Sequence, residues 1–423
     1  MNLIYMILTC ILSFLYVFTL YNIPVIVAGV RHLRRSSQSR RRMLQLNEEE
    51  LPAISVVVPV KNEERVVGRL LEALLRLDYP QQKKEILIVE DGSLDKTVEI
   101  CNEYVKQHHN HIKLLQKSKS NGKAAALNYA IKHAKGDVIA MFDADNVPEQ
   151  DILLKVAEYF EDQSVAAVQG TTCSINADEN MLTKFVSYEE AVRFEVLLRG
   201  KDVLNLFVPL TGSCQFIRRN AIEEVGKWDE TSLSEDTDMS VRLMEKGYNI
   251  RYAPDVQSWQ ENPSNLTQLV KQRTRWFRGC MEVAVRYGSL ITRLDRRSID
   301  AEFTLAGPYM LALCLIGYFM AILTFFVPIR PDPIFTIMAQ FLSLLTAITL
   351  LITGIGLIYL AKPRKMANLL CLPFIYIYWS TQTFMASYAL IQIILKRPRK
   401  WTKTVRTGAT DALKIIDRQK TSK

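Results

Sequence analysis

The apolar residues of this 423-residue chain crowd both ends and leave a mixed middle. No charged side chain occurs from Leu3 to Val30, a stretch long enough for a bilayer-crossing helix, which needs about 20 apolar residues. Three apolar stretches stand at the other end: Phe303 to Val327, Ile334 to Leu360 and Ala367 to Leu395. The first two have the length of full spans, with Pro328, Pro331 and Pro333 marking a turn between them. Pro373 and Ser380-Thr381-Gln382-Thr383 interrupt the third, which reads as a span or as a re-entrant segment. Its hydroxyls either line a path for a hydrophilic product or pack helices together.

In the middle the period changes. Ile54-Ser55-Val56-Val57-Val58, ahead of Pro59, is a β-branched run suited to a buried parallel strand. From Glu63 to Leu77, the positions Val66, Val67, Leu70, Leu71, Leu74 and Leu75 follow a helical period that stops at Tyr79-Pro80. Ile86 to Val89 predicts a second strand running into Glu90-Asp91-Gly92-Ser93, with a helix from Asp95 to His108, and Val138 to Phe142 a further strand ending in Asp143-Ala144-Asp145-Asn146. Strand, helix, strand, helix predicts a doubly wound α/β domain with a mostly parallel, Rossmann-like sheet. After Pro263 a basic, amphipathic pattern suits the membrane surface, or a helix packed on the domain. The chain thus divides into an N-terminal membrane helix (1–30), a basic linker (31–50), the α/β domain (51–262), interface helices (263–300), membrane or re-entrant segments (301–395) and a basic tail (396–423).

Charge orients these parts. Arg31, Arg34, Arg35, Arg40, Arg41 and Arg42 follow the first apolar stretch with no acid among them. They place that flank and the α/β domain in the cytoplasm of a multi-pass cell-membrane protein; the same run reads equally as a linker or as a contact for membrane lipids. Lys362, Arg364 and Lys365 belong inside, yet a third full span would put Lys396, Arg397, Arg399, Lys400, Lys403 and Arg406 outside, so either that segment returns or the charge rule fails there. The net charge of +9 is concentrated beside the apolar segments, which argues for membrane contact and no nucleic acid. Seven scattered cysteines without a C-x-x-C pair read as free thiols.

Ligands of doubly wound sheets bind at the carboxyl edge of the strands, where Asp91, Asp143 and Asp145 lie. Residues two apart on a strand point the same way, so Asp143 and Asp145 converge on one cation; Mg²⁺ or Mn²⁺ favours carboxylate and phosphate oxygens. Asn121 to Asn128 reads as a loop entering a helix, with Lys123 either facing phosphate or simply exposed. Ser234-Glu235-Asp236 opens a helix, and an acid there can deprotonate an attacking hydroxyl, a contribution of about 10²–10⁴ in rate. Gln272-Arg273-Thr274-Arg275-Trp276 adds a cation for phosphate and an indole for a sugar ring.

Taken in order, Pro59-x-x-Asn62-Glu63, Asp91-Gly92-Ser93, Asp143-x-Asp145, Glu235-Asp236 and Gln272-x-x-Arg275-Trp276 resemble the inverting family 2 glycosyltransferases. The resemblance is strongest to membrane polysaccharide synthases of the poly-N-acetylglucosamine, chitin-oligosaccharide, hyaluronan and cellulose type, and runs from Ile54 to Trp276. It implies a GT-A domain that binds a UDP-sugar donor with Mg²⁺ or Mn²⁺. By it, Asn62, Glu63 and Lys123 belong to the nucleotide-sugar site, Asp91 hydrogen-bonds uracil, Asp143 sits near the nucleotide and Asp145 ligates the metal. Asp236 is the general base with Glu235 beside it; Gln272 steadies helix and nucleotide, Arg275 neutralises the leaving diphosphate, and Trp276 stacks under the acceptor sugar. Thr211, Gly212 and Ser213 line the acceptor entrance. Two positions depart from the pattern: Lys61 replaces an aromatic residue that stacks on uracil, and Ser234 replaces threonine. The resemblance implies a processive enzyme that polymerises a sugar, N-acetylglucosamine first, on the cytoplasmic face and exports it through its own helices. A single transfer to a lipid acceptor and a non-catalytic sugar-nucleotide sensor are the rivals; accessory subunits and homo-oligomers are left open.

Overall fold

The structure, a computed structural model, describes residues 3–33, 48–109, 111–117, 119–326, 333–360, 370–399, 404 and 406–408. Arg34 to Arg42, Lys362 to Lys365, Lys400 and Lys403 lie outside the described residues. A long N-terminal helix, α1 (Leu3–His32), leads to an α/β unit. Its strands are β1 (Ile54–Val60), β2 (Lys84–Glu90), β3 (Ile112–Gln116), β4 (Val138–Met141), β5 (Val147–Pro148), β6 (Val165–Ser174), β7 (Gln215–Arg218) and β8 (Asn249–Gln260). Between them run α2 (Val67–Leu75), α3 (Thr97–Gln107), α4 (Lys123–Ile131), α5 (Ile152–Tyr159), α6 (Met181–Val192), α7 (Arg199–Val203), α8 (Arg219–Glu224) and α9 (Glu235–Glu245). A π-helical turn, Arg193–Leu198, joins α6 to α7. The chain ends in α10 (Leu266–Tyr287), α11 (Arg296–Phe326), α12 (Pro333–Leu360) and α13 (Leu372–Ile394).

The uninterrupted apolar run of β1 follows from burial on both faces. Val56 and Val58 pack with Leu70, Leu71 and Leu74 of α2 on one side, while Val57 packs with Leu127 and Ala130 of α4 and Leu243 of α9 on the other. The strand order is β3-β2-β1-β4-β7-β6-β8-β5. From β3 to β4 every pairing is parallel, as the alternating pattern predicts. Beyond β4 the mostly parallel expectation fails: β7 is antiparallel to both β4 and β6, and β5 to β8, while β8 is parallel to β6. The reason is local. The loop 204–214 comes back to the carboxyl edge of the sheet, so β7 starts where β4 stops, with Gln215 opposite Met141. That reversal sets Thr211-Gly212-Ser213 beside the acids that follow β4.

Met6–His32 and Arg296–Leu323 are long and apolar enough to cross a membrane, with mean hydropathies of 2.0 and 1.9. The ends of α1 and α11 are tied to the α/β unit. A Cβ on Gly29 would come within 2.0 Å of the Val196 carbonyl oxygen, and one on Gly200 within 2.0 Å of that of Val25, so α1 lies in backbone contact with the π-helical turn and α7. Lys201 Nζ meets Asp300 Oδ2 at 2.6 Å, with Asp300 fully buried; the same carboxylate accepts from Tyr21 Oη at 2.8 Å and from the Phe207 N–H at 3.0 Å. Breaking such a buried pair costs about 3–5 kcal/mol. Two of the basic residues of α10 favour the packed-helix alternative: Arg273 and Arg278 are buried, Arg273 against Glu189 at 3.3 Å and Arg278 against Glu282 at 3.0 Å, while Lys271 and Arg286 are exposed.

Candidate active site

A cavity of about 410 Å³ runs from the ends of β1, β2 and β4, past the start of α9, to α10 and α11. Of the residues singled out in the sequence, Glu63, Asp91, Lys123, Asp143, Asp145, Thr211, Gly212, Ser213, Glu235, Asp236, Gln272, Arg275 and Trp276 line it. Asn62 does not. With φ of 54°, it takes the left-handed turn after β1 and accepts from the Leu94 N–H at 2.7 Å, holding the Asp91-Gly92-Ser93 loop from behind.

Asp91, at the end of β2, is buried and accepts four hydrogen bonds: from Lys117 Nζ at 2.7 Å, Ser120 Oγ at 2.9 Å, and the N–H groups of Gly122 at 2.9 Å and Asn121 at 3.2 Å. Burial opposes ionisation, but these donors together hold its carboxyl below the usual carboxylate range. A carboxylate offers about four acceptor sites, so a uracil imide would have to displace one of these donors. Lys61, in the place of the stacking aromatic, donates to Ser120 Oγ at 2.7 Å and extends this network to β1.

Asp143 and Asp145 do not sit on the strand. β4 ends at Met141, and the two acids occupy a turn closed by Asn146 N–H donating to the Asp143 carbonyl at 3.0 Å. They meet different cations. Asp143 Oδ1 accepts from Lys123 Nζ at 2.5 Å, and the same ammonium donates to the Gly212 carbonyl at 2.8 Å and stands 4.0 Å from Glu235. Lys123, first residue of α4, is therefore neither exposed nor free to face phosphate alone. Burial pulls its pKa down, but Asp143, Glu235 and Asp236 reverse that and keep it charged.

Asp236, in the first turn of α9, accepts through Oδ1 from the Thr237 N–H at 2.8 Å and from Ser234 Oγ at 3.2 Å. Its Oδ2 faces the Gly212 turn, where a Cβ would stand 3.1 Å away. That glycine has φ of +86°, the left-handed region that L side chains avoid. The turn itself is rigidly held: Gln169 Oε1 accepts from Thr211 N–H at 2.8 Å, Gln215 Oε1 from Gly212 N–H at 3.1 Å, and Ser213 Oγ from Asp143 N–H at 3.0 Å. Glu235 is buried, and burial raises its pKa against the pull of Lys123.

From α10, Gln272, Arg275 and Trp276 reach the cavity. Arg273 backs the indole, its guanidinium carbon 4.5 Å from the ring centroid. Burial lowers the Arg275 pKa, while Glu235, Asp236 and Asp143 raise it. Three wall residues escape a motif reading: Glu189, Glu190 and Arg193. Glu189 accepts from Tyr378 Oη at 2.5 Å and Gln382 Nε2 at 3.2 Å of α13, and Glu190 from Asn262 Nδ2 at 2.8 Å. Glu189 and Glu190 lie near the end of α6 and Arg193 opens the π-helical turn, and no sequence motif marks them.

Arg406, which the sequence puts in the basic tail, lines the cavity. Its Nε lies 3.0 Å from Asp145 Oδ2, and its Nη1 donates to the Glu261 carbonyl. Burial raises the Asp145 pKa, with Arg406 opposing. The pair bears on metal binding. Asp143 and Asp145 are hard oxygen donors, and Mg²⁺ is commonly held by one or two carboxylates plus substrate phosphates; Asp145 already holds a cation, the guanidinium, so its environment suits one.

Similarity to known proteins covers the α/β unit and the part of α10 that carries Gln272, Arg275 and Trp276. The family described as "Glycosyltransferase like family 2" matches residues 52–279. The chain is 33% identical over 292 residues to the probable glycosyltransferase YdaM of Bacillus subtilis, covering 68% of this chain and 69% of that protein. It is 32% identical over 278 residues to beta-monoglucosyldiacylglycerol synthase of Nostoc, covering 65% of this chain and 56% of that one. Against poly-beta-1,6-N-acetyl-D-glucosamine synthase of Staphylococcus aureus it is 32% identical over 254 residues, covering 60% of each. Among solved structures, the fold is similar to that of the mannosyltransferase PcManGT from Pyrobaculum calidifontis, solved with GDP-Man and Mn²⁺: TM-score 0.56, 19% identity, 90% of this chain and 99% of that one.

Proposed function

The chain belongs to glycosyltransferase family 2, and we propose that it is an inverting β-glycosyltransferase that takes sugar from a UDP-sugar and builds a polysaccharide, N-acetylglucosamine first, at the cytoplasmic face of a membrane. The observation that carries the reading is Asp236: its carboxylate faces the rigid Gly212 turn, inside one cavity that also holds Asp91, Asp145, Arg275 and Trp276. An acceptor hydroxyl resting on Trp276 and the Thr211-Gly212-Ser213 turn gives its proton to Asp236 and attacks the anomeric carbon. Arg275, a fixed cation on α10, offsets the charge that develops on the departing diphosphate. A divalent metal, when bound at Asp145 with Asp143 near, supplies charge neutralisation to the same diphosphate. Lys123 holds Asp143 and the Gly212 turn together, and so couples the donor and acceptor halves of the site. Asp91, saturated by its donors, orders the loop that frames the nucleobase. α1, α11, α12 and α13 anchor the enzyme as a multi-pass membrane protein, with the α/β domain on the arginine-rich, cytoplasmic side.

A second reading, transfer of one sugar to a lipid, is favoured by the cavity's extension to Thr304 and Pro308 of α11, a helix long and apolar enough to span, and by the likeness to the glucosyldiacylglycerol synthase. One experiment separates the two: protein in lipid with Mg²⁺ or Mn²⁺ and a panel of labelled UDP- and GDP-sugars, with products sized by gel and thin-layer chromatography. A ladder from a single UDP-sugar supports polymerisation. A lone glycolipid supports the second reading, and turnover confined to GDP-sugars refutes the uridine assignment.

A further inference from the structure

Four anchors hold Thr404 and Arg406 to Gly408 at the cavity, near Asp145. Glu261, just beyond β8 and almost fully buried, accepts through Oε2 from the Thr407 N–H at 2.9 Å, Thr407 Oγ1 at 3.3 Å and the Gly408 N–H at 3.3 Å. Its Oε1 pairs with Arg69 at 3.1 Å, and Arg69 also donates to the Asp145 carbonyl at 3.1 Å. Gly408 has φ of +65°, and a Cβ there would stand 2.5 Å from the Arg65 carbonyl, so the segment lies tight against the loop before α2. Thr404 is buried at the cavity wall. From this mooring Arg406 reaches inward to Asp145 Oδ2, the oxygen that also accepts from the Glu261 N–H at 3.2 Å.

We propose that Arg406 is a built-in counter-ion of Asp145, which the divalent cation must displace to bind, with Glu261 as the positioning residue that keeps it there. The proposal rests on the metal role of Asp145 given above. Two cations on one carboxylate oxygen repel at a distance where screening is weak, so metal and guanidinium are alternative partners. Without metal, the buried carboxylate has the charge it requires from within the chain, and bare metal binds weakly because it must first win against Arg406. Once displaced, the guanidinium remains tethered through Thr407 and Gly408 beside the cavity that takes the diphosphate.

The test is Mn²⁺ binding to the full-length protein in detergent or nanodiscs without nucleotide, followed by the paramagnetic resonance of free Mn²⁺. Arg406→Gln should bind Mn²⁺ on the order of tenfold more tightly than the wild type, the gain expected when a competing closed state holding about nine-tenths of the molecules is removed. Glu261→Gln should move in the same direction by less, and Asp145→Asn should lose the site. Equal Mn²⁺ affinity in wild type and Arg406→Gln, with Asp145→Asn defective and nucleotide binding intact in each, overturns the exchange alone. Undiminished Mn²⁺ binding by Asp145→Asn overturns the metal assignment beneath it.

Discussion

At the scale of single residues, the site depends on where two side chains are allowed to be small or acidic. Asp236→Asn keeps the shape of the first turn of α9 but removes the base; turnover should fall about 10²–10⁴-fold, while calorimetry should find donor binding unchanged. Loss of donor binding in step with turnover would instead make Asp236 a nucleotide ligand. Gly212→Ala tests the turn. A methyl group at φ +86° and 3.1 Å from Asp236 Oδ2 strains the backbone by about 1–2 kcal/mol and pushes on the base, so kcat should drop about tenfold with donor KM little changed. An Ala variant with wild-type kcat would show that the contact sets nothing. The placement of these residues in one cavity was legible, because it follows from residue type at the end of a recognisable element. The partners were not. Lys123 reads as facing phosphate or exposed until Asp143 and Gly212 are brought to it, and Arg406 gains its partner only where it meets Asp145, far away in sequence.

The elements show the same division. β1, β2 and β4 and the helices α2, α3, α4 and α9 follow from period and punctuation, because each buries a face dictated by its own sequence. The antiparallel β7 does not, since nothing within Gln215–Arg218 records the direction from which the chain arrives. Nor does the π-helical register that carries Arg193 into the cavity wall. The pairing of α9 with α10 is an element-scale property with its own lock. Arg286 bridges Asp229 at 2.6 Å and Asp238 at 2.9 Å, and Tyr287 Oη adds a bond to Asp238 at 3.0 Å. This lock sets the base on α9 against Arg275 and Trp276 on α10. Arg286→Ala should lower Tm by about 2–4 °C and reduce kcat more than donor affinity; unchanged thermal unfolding would show that Asp238 is satisfied without it. Asp229 gives the lock a pH signature. Burial opposes ionisation, yet bonds from Thr231 and Arg286 bring its pKa down to about 2. A depressed carboxyl stabilises the fold above the unfolded-state value of about 3.9 and loses that effect as pH falls through its folded value. The stability gap between wild type and Asp229→Asn should therefore be constant near neutrality and close between about pH 4 and pH 2. A gap that persists at the acid end would assign the loss to packing.

For the whole molecule, the deciding feature is that α1 shares backbone contacts with the α/β unit. Gly200→Val would place methyls where Val25 backbone atoms now lie, within 2.0 Å of the oxygen, so α1 must leave α7. Protein recovered from membranes should fall and thermal unfolding should broaden into two transitions, one for each part. A single, unshifted transition would mean that α1 is only loosely docked. The intimacy of that docking turns α1 into a spacer of fixed length. A helix rises 1.5 Å per residue, so on the membrane-spanning reading the path from Phe14, exposed on its apolar flank, to Gly29 helps to set how far above the hydrocarbon the proposed reaction takes place. On that reading, one turn inserted between them and matched in the other spanning helices lifts the whole catalytic centre by about 5.4 Å without altering an atom of it. The altitude of the chemistry is then written in helix length and not in the site itself.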